Sequence, residues 1–302
     1  MLGAARNYEE LMNLPRSIPA VIVTFFLYSA SLQAAKTASC TFTTFSAPSG
    51  YTLSLVNGVT DDGTVMGQLV DNKTLKYVAF TYSASGQFTE YTAPQSSSTW
   101  LYGGTATGVN AGSYQDSAYP QPMHGFLLQG KQFAAVNYPK ASNTWLFDVN
   151  QLGSAVGSYS AGGSVTKGFQ LVNGKYTTIA HPGAQLTYAQ AINDNGVVAG
   201  SYATGFTSYG FLWNNGTFTE INYPHSKYGT ALVGVNNSGT VVGNYFNADF
   251  SFGFLYENGV FKKITYPGAW YAATGGINNN GLISGEIVFN SKDSLGYTAV
   301  CK

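Results

Sequence analysis

The sequence predicts an all-β chain folded as a six-bladed β-propeller of four-stranded antiparallel blades. Three sets of positions predict it. Gly67, Gly112, Gly157, Gly200, Gly243 and Gly285 recur at spacings of 45, 45, 43, 43 and 42 residues. An aromatic follows each one, at Phe80, Phe126, Phe169, Phe211, Phe254 and Tyr297, preceded by Ala79 or by a glycine. Pro48, Pro94, Pro139, Pro182, Pro224 and Pro267 complete the period. A four-strand repeat of about this length is the signature of a propeller blade.

The unit Thr187–Pro224 shows how one repeat makes four strands. Tyr188–Ile192 is the first apolar run, and Asn193-Asp194-Asn195-Gly196 supplies a turn. Asx side chains bond the local backbone there, and glycine accepts positive φ. Val197–Tyr202 is the second run and Tyr209–Trp213 the third. Asn214-Asn215-Gly216 is a hairpin signal, and Thr217–Ile221 a fourth run rich in β-branched and aromatic residues. Pro224 then leaves the sheet, since proline cannot donate to a ladder. Blades pack face against face, so the second-strand glycines read as points of close backbone approach between neighbouring sheets.

Residues 1–35 lie outside the repeat and read as a signal peptide. Arg6 and Arg16 precede the apolar run Ile18–Leu32, and cleavage is expected near Ala34 or Ala35. An anchoring transmembrane helix is the rival, but the run is short for a span of about 20 residues. Glu9 and Glu10 lengthen the segment ahead of the run, which suits a true start farther downstream. Residues 36–302 form the propeller domain. Blade 1 covers about 51–93, blade 2 about 99–138, blade 3 about 144–181, blade 4 the unit above, and blade 5 about 228–266.

The sixth blade is split. Aligned on Gly210-Phe211, Gly296-Tyr297 puts Cys301 at Asn215, and the chain ends before a fourth strand. Thr41-Phe42-Thr43-Thr44-Phe45 matches Thr217-Phe218-Thr219-Glu220-Ile221 and supplies that strand, which puts Cys40 at Gly216. The two cysteines thus meet where other blades have a turn, and a disulfide closing the ring is expected. Such a bond requires an oxidising, secreted or periplasmic setting. A lipoprotein cysteine at Cys40 fits poorly, because Thr37 stands where leucine is usual. An open β-solenoid is the alternative fold, but it would leave its terminal strands far apart.

Charged residues make up 9% of the chain, with 14 Lys and Arg against 14 Asp and Glu. That balance, without a basic run, argues against nucleic acid or an anionic membrane as partner. The pattern G-I-N-x-x-G-x-x-x-G-x-Y followed by G-F-L-W-x-x-G-x-F resembles the HAF-type bacterial extracellular repeat. The triplet that names the family is nearest at His124-Gly125-Phe126. The resemblance implies secretion and a propeller-like repeat, and no defined activity.

No catalytic motif stands out. His124, His181 and His225 show no metal-ligand spacing, and His181 reads as a loop-packing ring. Neither a G-x-S-x-G elbow nor a P-loop nor a calcium loop is present, so no metal or cofactor is expected. Asp71, Asp116, Asp148, Asp249, Glu257 and Glu286 share no repeated position, and a carboxylate pair would need several blades to converge. Trp100, Trp145 and Tyr188 align at the start of the innermost strand near one channel mouth, where they are candidates to stack on a flat ligand. Inter-blade packing is the alternative for these rings. The expected function is a monomeric, secreted, non-catalytic recognition or scaffold module whose ligand is carbohydrate or protein. A polysaccharide hydrolase or lyase is the alternative.

Overall fold

Each repeat folds around one pairing. In every blade the second-strand glycine lies directly across from the third-strand aromatic: Gly67 with Phe80, Gly112 with Phe126, Gly157 with Phe169, Gly200 with Phe211, Gly243 with Phe254 and Gly285 with Tyr297. All six rings are fully buried. A Cβ on Gly200 would overlap the carbonyl oxygen of Tyr188 and lie 2.8 Å from the Phe211 ring. The close approach is therefore inside one blade, not between neighbouring sheets as the sequence suggested. The ring lies over its own glycine and the inner strand crowds the other side. Contact between blades falls instead to the small residue before the aromatic. A Cβ on Gly168 would meet Ala189 at 3.2 Å, and one on Gly210 would meet Leu232 at 3.0 Å, both in the next blade.

The computed structural model describes residues 35–117, 121–247, 250–290 and 294–302. The expected signal peptide lies outside them except for Ala35. The regular structure described is all strand. Five sheets have four strands each, and the blade at Thr230–Lys263 has a fifth. Hydrophobic clusters form between neighbours: Met66 and Ala79 of blade 1 pack with Leu101, Phe126 and Leu128 of blade 2.

The ring closes as the split repeat predicts. Cys40–Phe45 pairs antiparallel with Ser294–Cys301, and Cys40 stands opposite Cys301. The two form a disulfide across a sequence separation of 261 residues, with Cα atoms 4.1 Å apart. The ladder runs one step past the bridge, where the Lys302 N–H donates to the Ser39 carbonyl at 2.9 Å. At this place blade 4 turns through Asn215 and Gly216, both at positive φ, as does blade 5 at Asn258-Gly259. The disulfide thus replaces a turn.

One strand carried no sequence signal. Lys36–Thr37 runs parallel to Val260–Lys263 on the outer edge of blade 5. Ala38 follows it into a buried cluster with Leu255 and Ile264. This addition covers an edge that would otherwise present unpaired backbone groups.

Removal of the bridge should act chiefly on the unfolded chain, by about 4–5 kcal/mol as an upper figure for so long a loop. Cys301→Ser is expected to lower the melting temperature of the oxidised protein by several degrees with unchanged β circular dichroism. Reductant should do the same to the wild type and nothing further to the variant. Equal melting of the two oxidised proteins would show that the bridge does not hold the ring.

Candidate functional site

The innermost strand of every blade carries a register shift at the same level, and those of blades 1 and 2 carry a second one nearer their start. The residues skipped at the shared level are Asn57, Tyr102, Phe147, Gln190, Val233 and Gly275. A bulge re-aims the side chain it releases, and all six line a central cavity of about 300 Å³. The Tyr102 and Phe147 rings meet edge to face with centroids 5.1 Å apart. Burial pushes the Tyr102 hydroxyl far above its ordinary pKa, so it remains a neutral donor.

At one mouth the polar groups are consumed by the fold. The first-turn asparagines form a relay from blade to blade. Asn193 Oδ1 accepts the Val197 N–H of its own turn at 2.9 Å, while its Nδ2 donates to the Asn236 carbonyl of the next blade at 3.0 Å. Asn150 does the same toward Asn193, and Asn278 toward Thr60. A second ring runs beside it. The backbone N–H of Gln151, Asp194, Asn237 and Asn279 each donates to the carboxylate or amide oxygen of Asp194, Asn237, Asn279 and Asp61 in turn, at 2.8–2.9 Å. Asp61 and Asp194 are therefore structural.

Besides Asp61 and Asp194, two further carboxylates line the cavity, from opposite sides of the ring. Asp148 follows the bulged Phe147. Its Oδ1 accepts the Val149 N–H at 2.8 Å, and its Oδ2 accepts the Ile192 N–H of blade 4 at 2.9 Å. On its other side it rests on Gly103 of blade 2, where a Cβ would overlap it. Burial, with Asp194 nearby, pushes its pKa up to about 7 against the pull of the two N–H donors. Glu286 is 8% exposed. It sits in the column after the second-strand glycine, where other blades have Gln68, Ser113, Ser158, Ser201 and Asn244. Three of those side chains latch the next blade: Ser113 Oγ accepts the Leu146 N–H at 3.1 Å, Ser158 Oγ donates to the Thr187 carbonyl at 3.4 Å, and Asn244 Oδ1 accepts the Thr274 N–H at 2.8 Å. Glu286 faces the Val56 N–H of blade 1 in the same way, yet burial raises its pKa to about 7. As the lone acid in a column of amides and hydroxyls, Glu286 was detectable from the repeat alignment.

Polar side chains of the cavity wall remain unpartnered. The Gln190 amide, the Tyr102 hydroxyl and the Ser251 hydroxyl line the cavity, and none has a hydrogen-bond partner among the described residues. Trp100, Trp145 and Tyr188 are half-buried at a common level of the inner strands. Trp100 tilts against Tyr77 of blade 1 with centroids 5.6 Å apart. None of the three is a cavity-lining residue, whereas Leu55 and Ala273 at the same level of blades 1 and 6 are. The structure does not bring the three rings together. His181 stacks on Tyr202 at 3.6 Å and 2°, as a loop-packing ring should. His124 lies between Tyr114 and Asp116. No cluster of three or more His, Cys, Asp or Glu at metal-binding distance occurs among the described residues.

No family model matches the sequence, and no curated protein does. Solved structures do match. A mutant of Aleuria aurantia lectin in complex with Fucα1-6GlcNAc has a TM-score of 0.53 at 13% identity, covering 82% of this chain and 91% of the lectin. A mutant of AofleA from Arthrobotrys oligospora gives 0.51 at 13%, covering 85% and 86%. A protein assigned as a gluconolactonase gives 0.50 at 13%, covering 86% and 98%. The likeness is one of fold. It joins a sugar-complexed lectin and a protein assigned as a gluconolactonase alike, so the fold does not choose between binding and catalysis.

The raised pKa of Glu286 has a definite sign. Folding favours its protonated form, so its contribution is full below pH 4.5 and is lost as pH rises through about 7. The loss is on the order of 3 kcal/mol. Glu286→Gln should therefore gain stability over the wild type between pH 5 and pH 8, read by urea denaturation. Parallel pH curves for the two proteins would remove Glu286 as the responsible group.

Proposed function

We propose that this protein is an extracytoplasmic, non-catalytic recognition propeller that binds a neutral glycan through its central cavity. The observation that carries the reading is the lining: amide and hydroxyl groups without a partner among the described residues, beside two aromatic rings. Sugar hydroxyls need planar amides and hydroxyls as partners, and the apolar faces of pyranose rings need aromatic surface. The Cys40–Cys301 bond supports an oxidising compartment. The repeat pattern supports placement with the HAF-type extracellular repeats. Trp100, Trp145 and Tyr188, half-buried on blades 2–4, belong to this proposal as flanking stacking surface.

A binding screen of the mature protein against glycans and cell-wall polymers tests the reading. At least one neutral glycan should bind, and Gln190→Ala should weaken it by about tenfold, the worth of one lost hydrogen bond, with an unchanged melting curve. A screen without a carbohydrate hit, or a Gln190→Ala variant that binds normally, counts against it.

Asp148 and Glu286 favour one second reading. Both line a single cavity with pKa values near 7, as the acid and base of polysaccharide cleavage require. Here the expected outcome is release of new reducing ends or unsaturated products from the bound polymer. Loss of that release in Asp148→Asn and Glu286→Gln, with binding retained, would make the protein a hydrolase or lyase.

A further inference from the structure

We infer that the glycan site continues out of the cavity onto an aromatic platform made by Phe250, Trp270 and Tyr271, so that the ligand is an extended chain of flat, equatorially linked sugars. This rests on the glycan reading above and adds a second subsite to it.

Strand direction alternates through a four-strand meander, so the second-to-third turns and the exit loops share one end of the ring. That end is opposite the asparagine relay. The exposed aromatics gather there: Phe206 and Phe250 beside second-to-third turns, Tyr228 and Trp270 in exit loops. Of these, Phe250 and Trp270 form a connected surface. Their centroids are 6.0 Å apart, and Tyr271 lies 5.8 Å from Phe250. The surface is rigidly backed. Phe250 meets Phe252 at 6.3 Å, Phe252 stacks on Tyr245 at 5.3 Å, and Tyr245 stacks on Tyr223 at 3.9 Å. Tyr223 and Tyr245 are buried, whereas Trp270 is 53% exposed. Burial thus falls outward along one ladder of rings, and its outermost member faces water.

The platform and the cavity mouth are built by the same two strands. Ser251 follows Phe250 and lines the cavity, and Ala273 lies three residues beyond Trp270 and lines it too. Here the lining is small: Ser251 and Ala273 stand where blades 1 and 2 place Tyr77 and Trp100. The opening, the platform and Glu286 therefore lie on blades 5 and 6. An all-equatorial pyranose chain presents hydroxyls along its edge and C–H groups on its faces. It can place one residue in the amide-lined cavity while the next residues stack on fixed rings, at little conformational cost to the protein. A lipid surface would use the rings and leave the polar cavity unpaired.

The test is calorimetry with cello- and chito-oligosaccharides of one to six units, on the wild type, Trp270→Ala and Gln190→Ala, with neutral and anionic phospholipid vesicles as a second arm. The expected result is affinity that rises with chain length in one series. Trp270→Ala should reduce the affinity for chains of four or more units about tenfold and that for the single sugar less than twofold. Gln190→Ala should weaken both. Affinity independent of chain length, or unchanged by Trp270→Ala while Gln190→Ala abolishes binding, overturns the platform and leaves the cavity reading standing. No binding of any series overturns the platform's ligand, and the broader screen then decides the cavity separately. Trp270-dependent partition onto vesicles without oligosaccharide binding identifies the rings as a lipid-facing surface and overturns the inference.

Discussion

The fold depends on a steric constraint within each blade. The second-strand glycine is held between the carbonyl oxygen of the inner strand and the ring of the third. Any Cβ there would push the three strands apart. The ring in turn can be fully buried because the glycine leaves room under it. That fixes the distance of the inner strand from the rest of the blade, and hence the radius at which six inner strands surround the channel. The bulge that follows then has a defined place, and the side chain it releases has one direction to go. Cavity lining is a consequence of blade packing.

A second constraint acts between blades and is polar. Each first-turn asparagine serves its own turn with its oxygen and the next turn with its nitrogen. The relay runs from blade 3 through blades 4, 5 and 6 to blade 1. In blades 1 and 2 threonine takes the place, and Thr105 Oγ1 serves its own turn, accepting the Val109 N–H at 3.1 Å. The Cys40–Cys301 bridge covers the one blade that the chain does not make continuously. Apolar clusters supply most of the cohesion between blades, while the relay sets their registry, since a misaligned blade would leave buried amides unpaired.

This division explains what the sequence revealed. Glycine, aromatic and proline columns are steric requirements, so they repeat in kind and can be counted. The split sixth blade was legible because a missing strand and an unpaired cysteine appear at both ends. The bulge column was not legible. Its members are Asn57, Tyr102, Phe147, Gln190, Val233 and Gly275, six unlike residues whose shared property is that a register shift turns them inward. A one-residue slip changes the face of a side chain, and such slips leave no signature in residue type. Trp100, Trp145 and Tyr188 were conspicuous for size and alignment, two properties that packing also selects. Lys36–Thr37 was invisible for a simpler reason: two residues carry no period.

Departures from the repeat are most informative where they coincide, and they coincide in blade 6. Beside Gly285, the preceding position is Ser284, where the other blades have Met66, Ala111, Val156, Ala199 and Val242. The following position is Glu286. Across the ladder the aromatic is Tyr297 in place of phenylalanine. The hydroxyls of Ser284 and Tyr297 are buried without a hydrogen-bond partner among the described residues. Each such group costs stability that an alanine or a phenylalanine would recover. Five blades show the apolar solution, so the fold does not need the polar one. Proteins retain local conflicts of this kind where function opposes stability. The conflict lies in the blade that opens the cavity with Ala273, lines it with Glu286 and carries Trp270. Symmetry accounts for the scaffold, and under the proposed glycan reading its local breakdown marks the side on which a ligand would meet it.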